Sequence, residues 1–481
     1  MFGVYNTNAM MARPKSGRLD RLTMLIVGTL PPSAANTISD HIFAFPRFSR
    51  HHVVFRQNTR AVFGDMGGLT PTFPKSINLA TFDVLILHYS CYLPGDSHFD
   101  AQARQTIRDY RGLKILLIQD EYRQVNVIHD RIRELGIDVL FTCVPTGEIE
   151  KVYPSDSLPG LTKVNTLTGF VPEALLKHKV SPIARRPIHV GYRARRLPFW
   201  LGELAVEKWR IVPQFQNAVA GSGLRLDVSY QEADRIYGGA WLKFIKSCKC
   251  TLGVESGASV FDFTGEIQRS VEEYVARHPD AKFEEVQQAI LAPHEGRIVL
   301  NQISPRCFEA AALRTAMVLF EGHYSHVLEP WRHYIPLKKD FSNISEVTAA
   351  IRDDALLQAL VDRTYREIAL NPEYSYAAFV SRFDDVVEAQ ILTRHGSRLD
   401  TGYRVCGDRL QLGPGWPLPI VERLRIQEYW ISTRALLLRA RFRIIHTALG
   451  LTYKIYVTMF SAVFRDRLRP FVRRVILKKV D

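Results

Sequence analysis

Two kinds of spacing alternate along the first 390 residues of the chain. Continuous apolar, β-branched runs occur at 22–27 (LTMLIV), 51–55 (HHVVF), 83–88 (DVLILH), 113–118 (LKILLI) and 137–142 (IDVLFT). Between several of them lie polar, helix-compatible stretches, such as 101–110 and 126–135. A strand with one face in water alternates apolar and polar residues. A run without that alternation is covered on both faces, as in a parallel sheet whose strands are joined by helices. The pattern therefore predicts a doubly wound α/β domain. A proline-rich, basic connection follows at 181–187 (SPIARRP). The alternation then restarts, with strands at 188–192, 224–229, 250–254, 316–320 and 334–336 and helices at 202–220, 238–247, 304–313 and 345–351. A second domain of the same kind is expected, decorated by a charged helical insertion at 263–296. From 353 to 390 the spacing is purely helical, residues 410–419 (LQLGPGWPLP) interrupt it, and 421–479 reads as a separate segment. The expected organisation is a first domain over 22–180, a second over 187–390 and a tail over 421–481.

The total of 481 residues exceeds the size at which one core stops growing, which agrees with two domains. With 46% hydrophobic and 23% charged residues the chain has the composition of a globular protein. Its six cysteines (Cys91, Cys143, Cys248, Cys250, Cys307, Cys406) are scattered, and the close pair Cys248-Lys-Cys250 lacks the two-residue spacer of zinc and redox motifs. Reduced thiols in a cytoplasmic compartment are expected. The apolar run 24–27 that follows Arg13, Lys15, Arg18 and Arg21 is too short for a signal-peptide core.

The net charge of +14 is unevenly placed. Residues 421–481 hold fourteen Lys and Arg against four Asp and Glu, or +10, which leaves +4 for the first 420 residues. In that tail the basic residues alternate with aliphatic and aromatic clusters (RALLLRARFRII, YKIYVTMF, FRDRLRPFVRRVILKK), the composition of amphipathic helices that lie in an anionic membrane interface. Residues 444–464 are long enough to span a bilayer, but Lys454 at their centre would cost roughly 2.5–3.5 kcal/mol there, so lying on the surface is preferred. A nucleic-acid interface is disfavoured, because the cations are interleaved with aliphatic clusters rather than with a stacking platform.

In an open parallel sheet, ligands bind beyond the carboxyl ends of the strands. Ser304 is a good N-cap and Pro305 suits the first helical position, so a helix start is sharply defined there, with free amides that attract anions. Glu309 lies one turn further in. A carboxylate in that place either accepts hydrogen bonds from a vicinal diol such as a ribose or merely complements the helix dipole. Arg193 and Arg195 end the strand at 188–192 and would share one face of an extended chain; Lys208 is a further cation nearby in sequence. The loop at 253–263 (GVESGASVFDF) follows another buried run, and its Glu255, Ser256 and Asp262 are candidates for sugar hydroxyls, or simply turn residues. In the first domain Asp120 and Glu121 follow one buried run and His88 ends another. Each could act as a base on a hydroxyl, Asp120 first, or cap the next helix.

The run S-P-R-C-F-E-A-A-A-L-R-T-A-M-V-L-F-E-G at 304–322, with H-Y-I-P-L at 333–337 and the helix N-I-S-E-V-T-A-A-I beyond, resembles the donor-binding half of GT-B glycosyltransferases of the "glycosyl transferases group 1" type. There S-x-R-x-F-E-A-x-A-x-G-T-P is the usual form. The resemblance covers about 187–390 and extends to the first domain in architecture only. It implies two Rossmann-like doubly wound domains facing a cleft, with Glu309 on the ribose of a nucleotide sugar and with Ser304, Arg306, Arg193 and Arg195 near its diphosphate. Two departures stand out. Eight positions before Glu309, where the retaining subgroup has a second Glu, this chain has Asn301, and the usual Gly-Thr-Pro is Arg314-Thr315-Ala316. Retaining stereochemistry is therefore not implied.

No Asp-x-Asp occurs in the chain, so no metal and no other cofactor is expected, and cations with a helix N-terminus would take the metal's place. The expected partners are a nucleotide-sugar donor, a glycan or lipid-linked acceptor and an anionic membrane surface, with no nucleic acid. The reading is a glycosyltransferase of surface polysaccharide synthesis, peripheral on the inner face of the cell membrane. A non-catalytic GT-B-shaped scaffold subunit, which Asn301 keeps open, and a nucleotide-sugar epimerase or phosphorylase are the alternatives.

Overall fold

The computed structural model describes residues 21–30, 36–61, 69–71 and 77–395. The basic segment 421–481 and Cys406 lie outside them. Six parallel strands make the first sheet: β1 (Thr23–Gly28), β2 (His52–Gln57), β5 (Val84–Leu87), β6 (Leu113–Leu117), β7 (Val139–Thr142) and β8 (Thr162–Asn165). Their spatial order is β2-β1-β5-β6-β7-β8. Two short antiparallel strands, β3 (Thr59–Ala61) and β4 (Leu69–Pro71), stand apart from it. The five strands of the second sheet are also parallel: β9 (Ile188–Arg193), β10 (Leu226–Ser229), β11 (Cys248–Gly253), β12 (Ala316–Phe320) and β13 (Ile335–Leu337), in the order β10-β9-β11-β12-β13.

The apolar runs form strands because helices cover both faces of each sheet. In β1, Leu25 and Val27 join a core on one face, with Leu85, Leu87 and Leu116, while Met24 and Ile26 join another, with Val84, Ile86 and Ile115. In the second sheet Val190, Leu252 and Val318 face one core, and Cys248, Met317 and Leu319 the other. β8 escapes the hydrophobic pattern, since its sequence, TKVN, has a single apolar residue, Val164. The helix Asn36–Phe48 escapes it too; its apolar stripe, Ile42, Ala44 and Phe45, is short and interrupted by Pro46.

The last helix, Tyr376–His395, corrects the domain boundary expected at 390. Its Phe379, Val380, Phe383 and Val387 pack into the core of the first sheet beside Phe45 and Phe141. Ser49 Oγ and the Arg50 amide donate to the buried Asp384 carboxylate at 2.9 and 2.8 Å. Each buried Phe contributes roughly 1.5–3 kcal/mol, so this helix belongs energetically to the first lobe although it follows the second in sequence.

The lobes are joined by backbone as well as side chains. The Asp262 amide donates to Tyr122 O at 2.8 Å, and the Asn126 amide donates to Phe263 O at 2.9 Å. Phe261, Ile298 and Leu300, which flank the second lobe's insertion, complete the core of the first. This seam holds the carboxyl ends of the two sheets toward a shared cleft.

Candidate functional site

In each sheet the strand order reverses once: between β1 and β5 in the first, and between β9 and β11 in the second. Such a switch point opens a crevice at the strands' carboxyl ends. Arg193 ends β9 and Gly253 ends β11, and both line a cavity of about 390 Å³. Tyr192, Leu252, Met317 and Leu319 give it an apolar floor, while Asn36, Thr37, Asp120 and Tyr122 reach it from the first lobe. Gly191 permits the close packing under this floor, since a Cβ there would lie 2.3 Å from Cys248 Sγ and 2.8 Å from Phe244.

The helix Pro305–Ala312 begins at the cavity wall. Ser304 Oγ accepts from the Arg306 amide, and Pro305 occupies the first turn. Glu309, one turn in, is 5% exposed, and its Oε2 accepts from Trp241 Nε1 at 2.8 Å. Its Oε1 has no protein partner among the described residues, and the carboxylate lines the cavity. Burial pushes its pKa up, opposed by the Trp241 indole and the Arg306 charge. Ala310, Ala311 and Ala312 are buried and let this helix lie close to its neighbours.

Four of the expected cations line the same cavity, with Arg235 as a fifth. They are not equivalent. Arg193 is already committed: it donates to Asp227 Oδ1 at 2.7 Å and to the carbonyls of Asp227 and Asp234, and its guanidinium lies 4.4 Å from the Phe244 ring centre. Arg195 is exposed and has no ion-pair partner among the described residues. Arg306 stacks over Trp241 at 5.1 Å and donates to the Arg193 carbonyl. Lys208 is held near Asp120, Arg195 and Arg306; burial first, then the two guanidinium charges, lowers its pKa to about 8. The free positive charge of the cavity thus rests on Arg195, Arg306 and Lys208.

The first-lobe candidates separate sharply. Asp120 faces the cavity, with a left-handed backbone (φ 54°) and its Oδ1 accepting from Tyr122 OH at 3.0 Å. Glu121 points the other way, into the core, where it is fully buried and accepts from Thr142 Oγ1 and Tyr153 OH at 2.5 Å and from the Cys143 amide at 2.9 Å. Burial pushes it up to about 7. It braces the end of β7 and does not line the cavity. His88 is likewise sealed, its Nε2 3.0 Å from His41 Nδ1 and its Nδ1 2.9 Å from Ser90 Oγ, and burial holds it well below the ordinary histidine value.

Two expected sugar ligands also prove to be braces. Glu255 is buried and accepts from the amides of His323 (2.9 Å) and Tyr324 (2.7 Å) and from Asn301 Nδ2 (2.6 Å). It thereby pins a run of three left-handed residues, Tyr324, Ser325 and His326. Asp262, fully buried, accepts from the amides of Gly265 and Gln268 and starts the helix Glu266–Arg277. Ser256 does line the cavity, held by a backbone bridge to Gln302.

Sequence reasoning missed Trp241 and Asp40. Trp241 is hidden in an apolar helical stretch, where it reads as an ordinary core residue. Asp40 lies on the helix Asn36–Phe48, one turn beyond Asn36 and Thr37 and on their face. Burial raises it to about 6, and its charge is felt by Glu309 across the cleft. The available signal is a carboxylate, in N-T-I-S-D, after the first buried run.

Two doubly wound parallel sheets whose carboxyl ends share a cleft constitute a GT-B architecture. No protein-family model and no curated protein sequence matches the chain. Solved structures similar to it include an alpha-glucosyltransferase in complex with UDP-glucose and DNA containing an abasic site, at 11% identity over 76% of this chain and 99% of that one, with a TM-score of 0.44. Another is the T4 phage BGT in complex with its UDP-glucose substrate (12% identity, 77% and 99% covered, TM-score 0.43). A third is Anabaena Alr3699/HepE in complex with UDP-glucose (10% identity, 78% and 100% covered, TM-score 0.43).

Proposed function

We propose that this chain is a glycosyltransferase that moves a sugar from a nucleotide-sugar donor to a glycan or lipid-linked acceptor in surface polysaccharide synthesis. The observation that carries the reading is Glu309: a buried carboxylate, one oxygen held by Trp241, the other without a protein partner, in a cavity that also holds the unpaired cations Arg195, Arg306 and Lys208. That combination suits a ribose beside a diphosphate. On this reading the acceptor hydroxyl oxygen attacks the anomeric carbon as the bond from that carbon to the phosphate oxygen breaks. Asp120, which faces the cavity from the opposite lobe, takes the hydroxyl proton. Arg195, Arg306 and Lys208 stabilise the charge that accumulates on the departing nucleoside diphosphate, so no metal is required. The basic segment 421–481 would hold the enzyme peripherally on the inner face of the cell membrane, where a lipid-linked acceptor resides.

The test is calorimetric titration of the full chain with a panel of nucleoside diphosphates and nucleotide sugars, with and without a chelator. One family of nucleotides should bind, unaffected by chelation, and Glu309→Ala should weaken it by about 10- to 100-fold through loss of charged hydrogen bonds worth about 1.5–3 kcal/mol. Absence of binding to every member sinks the enzymatic reading. Asp120→Asn should keep donor affinity and lose turnover; full turnover in that variant would remove Asp120 from the chemistry.

A further inference from the structure

On the opposite side of the helix Gly238–Ser247 from Trp241 lies a second cavity, of about 270 Å³, between that helix and the connection that joins the lobes. Five cationic residues line it: Lys179, Arg185, Arg186, Lys243 and Lys246. No carboxylate does. Lys243 and Lys246 stand three residues apart on the outer face of the helix, whose inner face buries Trp241, Phe244 and Ile245. Other basic side chains among the described residues are neutralised; Arg50, Arg104 and Arg131 each pair with two carboxylates. Here no side chain has an ion-pair partner among the described residues, and the one polar neighbour of Lys246 is the ring nitrogen of His178, 3.2 Å away.

Arg186 is the anchor of the groove. It is 2% exposed, yet it meets only neutral acceptors: the carbonyls of Ser181 (3.1 Å), Cys248 (2.9 Å) and Leu313 (3.3 Å) and the Thr315 hydroxyl (2.8 Å). A guanidinium buried without a counter-charge is costly, and here it is oriented on all sides by the folded backbone. The carboxyl end of the neighbouring helix offers about half a negative charge, too little for five cations. A potential of this sign, focused in a groove by low-dielectric walls, concentrates anions.

We propose that this groove is a second anion site, taking a ligand with two or more phosphate charges, distinct from the candidate donor cavity and separated from it by one helix. Guanidinium and ammonium groups converging from two elements suit the several oxygens of a phosphorylated group rather than a single carboxylate. A free diphosphate compound and a phosphorylated lipid headgroup share that chemistry. The inference does not rest on the glycosyltransferase reading.

The experiment is hydrogen exchange of the full chain with inorganic pyrophosphate, and separately with cardiolipin vesicles, whose headgroup carries two phosphates, each compared with Arg185→Ala/Lys243→Ala. Both substituted side chains are exposed, so the fold should be kept. The amides of 179–186 and 243–248 should be protected by one or both probes, and the double variant should raise the concentration needed at least tenfold. Protection by pyrophosphate assigns the free ligand, and protection by vesicles alone assigns the headgroup. If neither probe protects these amides, or if the variant is protected as well as the native chain, the proposal is overturned. Protection confined to the donor cavity overturns it equally while leaving the donor reading intact, so failure here and failure of the donor reading are separately visible.

Discussion

At the scale of single residues, Lys208 sets a pH dependence. Its pKa is lowered to about 8 from an ordinary lysine value because burial and two guanidinium groups disfavour the charged form. The folded chain therefore binds the proton of this group less tightly than the unfolded chain does. The associated stability penalty is present at neutral pH and is relieved as pH rises from about 8 toward the ordinary lysine range. A diphosphate in the cavity has the opposite preference, since it favours the ammonium. Nucleotide affinity should fall between pH 7 and 9 as Lys208 loses its proton, and binding should be accompanied by proton uptake in that range. Lys208→Met should bind about tenfold more weakly at pH 7 and show no such slope. Titrations in buffers of different ionisation enthalpy read both effects; an unchanged slope in Lys208→Met would show that another group titrates. Residue types are legible in the sequence where their surroundings are local. Ser304, Pro305 and Glu309 announce a capped helix with an inward acid. Asp120 and Glu121 cannot be told apart, because β6 ends at Leu117 and alternation stops with it. The left-handed turn at Asp120 decides which acid faces the cleft. Glu255 invites misreading because the amides it caps come from a distant segment, and Asp262 because a local helix cap looks, in sequence, like any other loop carboxylate.

At the scale of elements, the loop after β11 shows why glycine and serine content alone is a poor guide to a ligand loop. Gly257 has φ +110°, and a Cβ on it would stand 1.7 Å from Leu300 O. The residue is required because Ser256 and Gln302 exchange backbone hydrogen bonds at 2.7 and 2.9 Å, which draws two loops into contact beneath the cleft. Gly257→Ala meets a clash and a disfavoured backbone at once, and should cost about 3–5 kcal/mol. The melting temperature should drop by at least about 5 °C. Gly147→Ala is the control, with nothing within 4 Å of the added carbon and no positive φ, and should melt as the native chain does. Equal melting of the two variants would mean that the Ser256–Gln302 bridge does not constrain the loop. The elements themselves are largely legible: apolar, β-branched runs mark ten of the eleven main-sheet strands, because such a run needs no knowledge of partners. β8 and the helix Asn36–Phe48 are not, since each is only half covered and buries little of the pattern by which such elements are recognised.

At the scale of the whole molecule, charge is partitioned along the sequence: +10 of the net +14 belongs to residues 421–481. Among the described residues no helix is long and apolar enough to cross a membrane. For the proposed attachment to a bilayer, this segment and the basic groove of the described residues are two sources of charge. The two sources differ in size. Each Lys or Arg near an anionic surface contributes about 1 kcal/mol, and fourteen lie in the segment, interleaved with apolar residues that can enter the interface. The groove beside the inter-lobe connection holds five, in a concave site that suits one headgroup better than a plane of them. Removing residues 420–481 should therefore abolish flotation with phosphatidylglycerol vesicles at about 0.15 M salt while leaving nucleotide titration unchanged, because Glu309, Trp241 and the cavity cations all precede the cut. Flotation of the shortened chain equal to that of the full chain would refute the anchor and move the attachment to the lobes. Loss of nucleotide binding together with flotation would show that the segment supports the cleft as well as the bilayer.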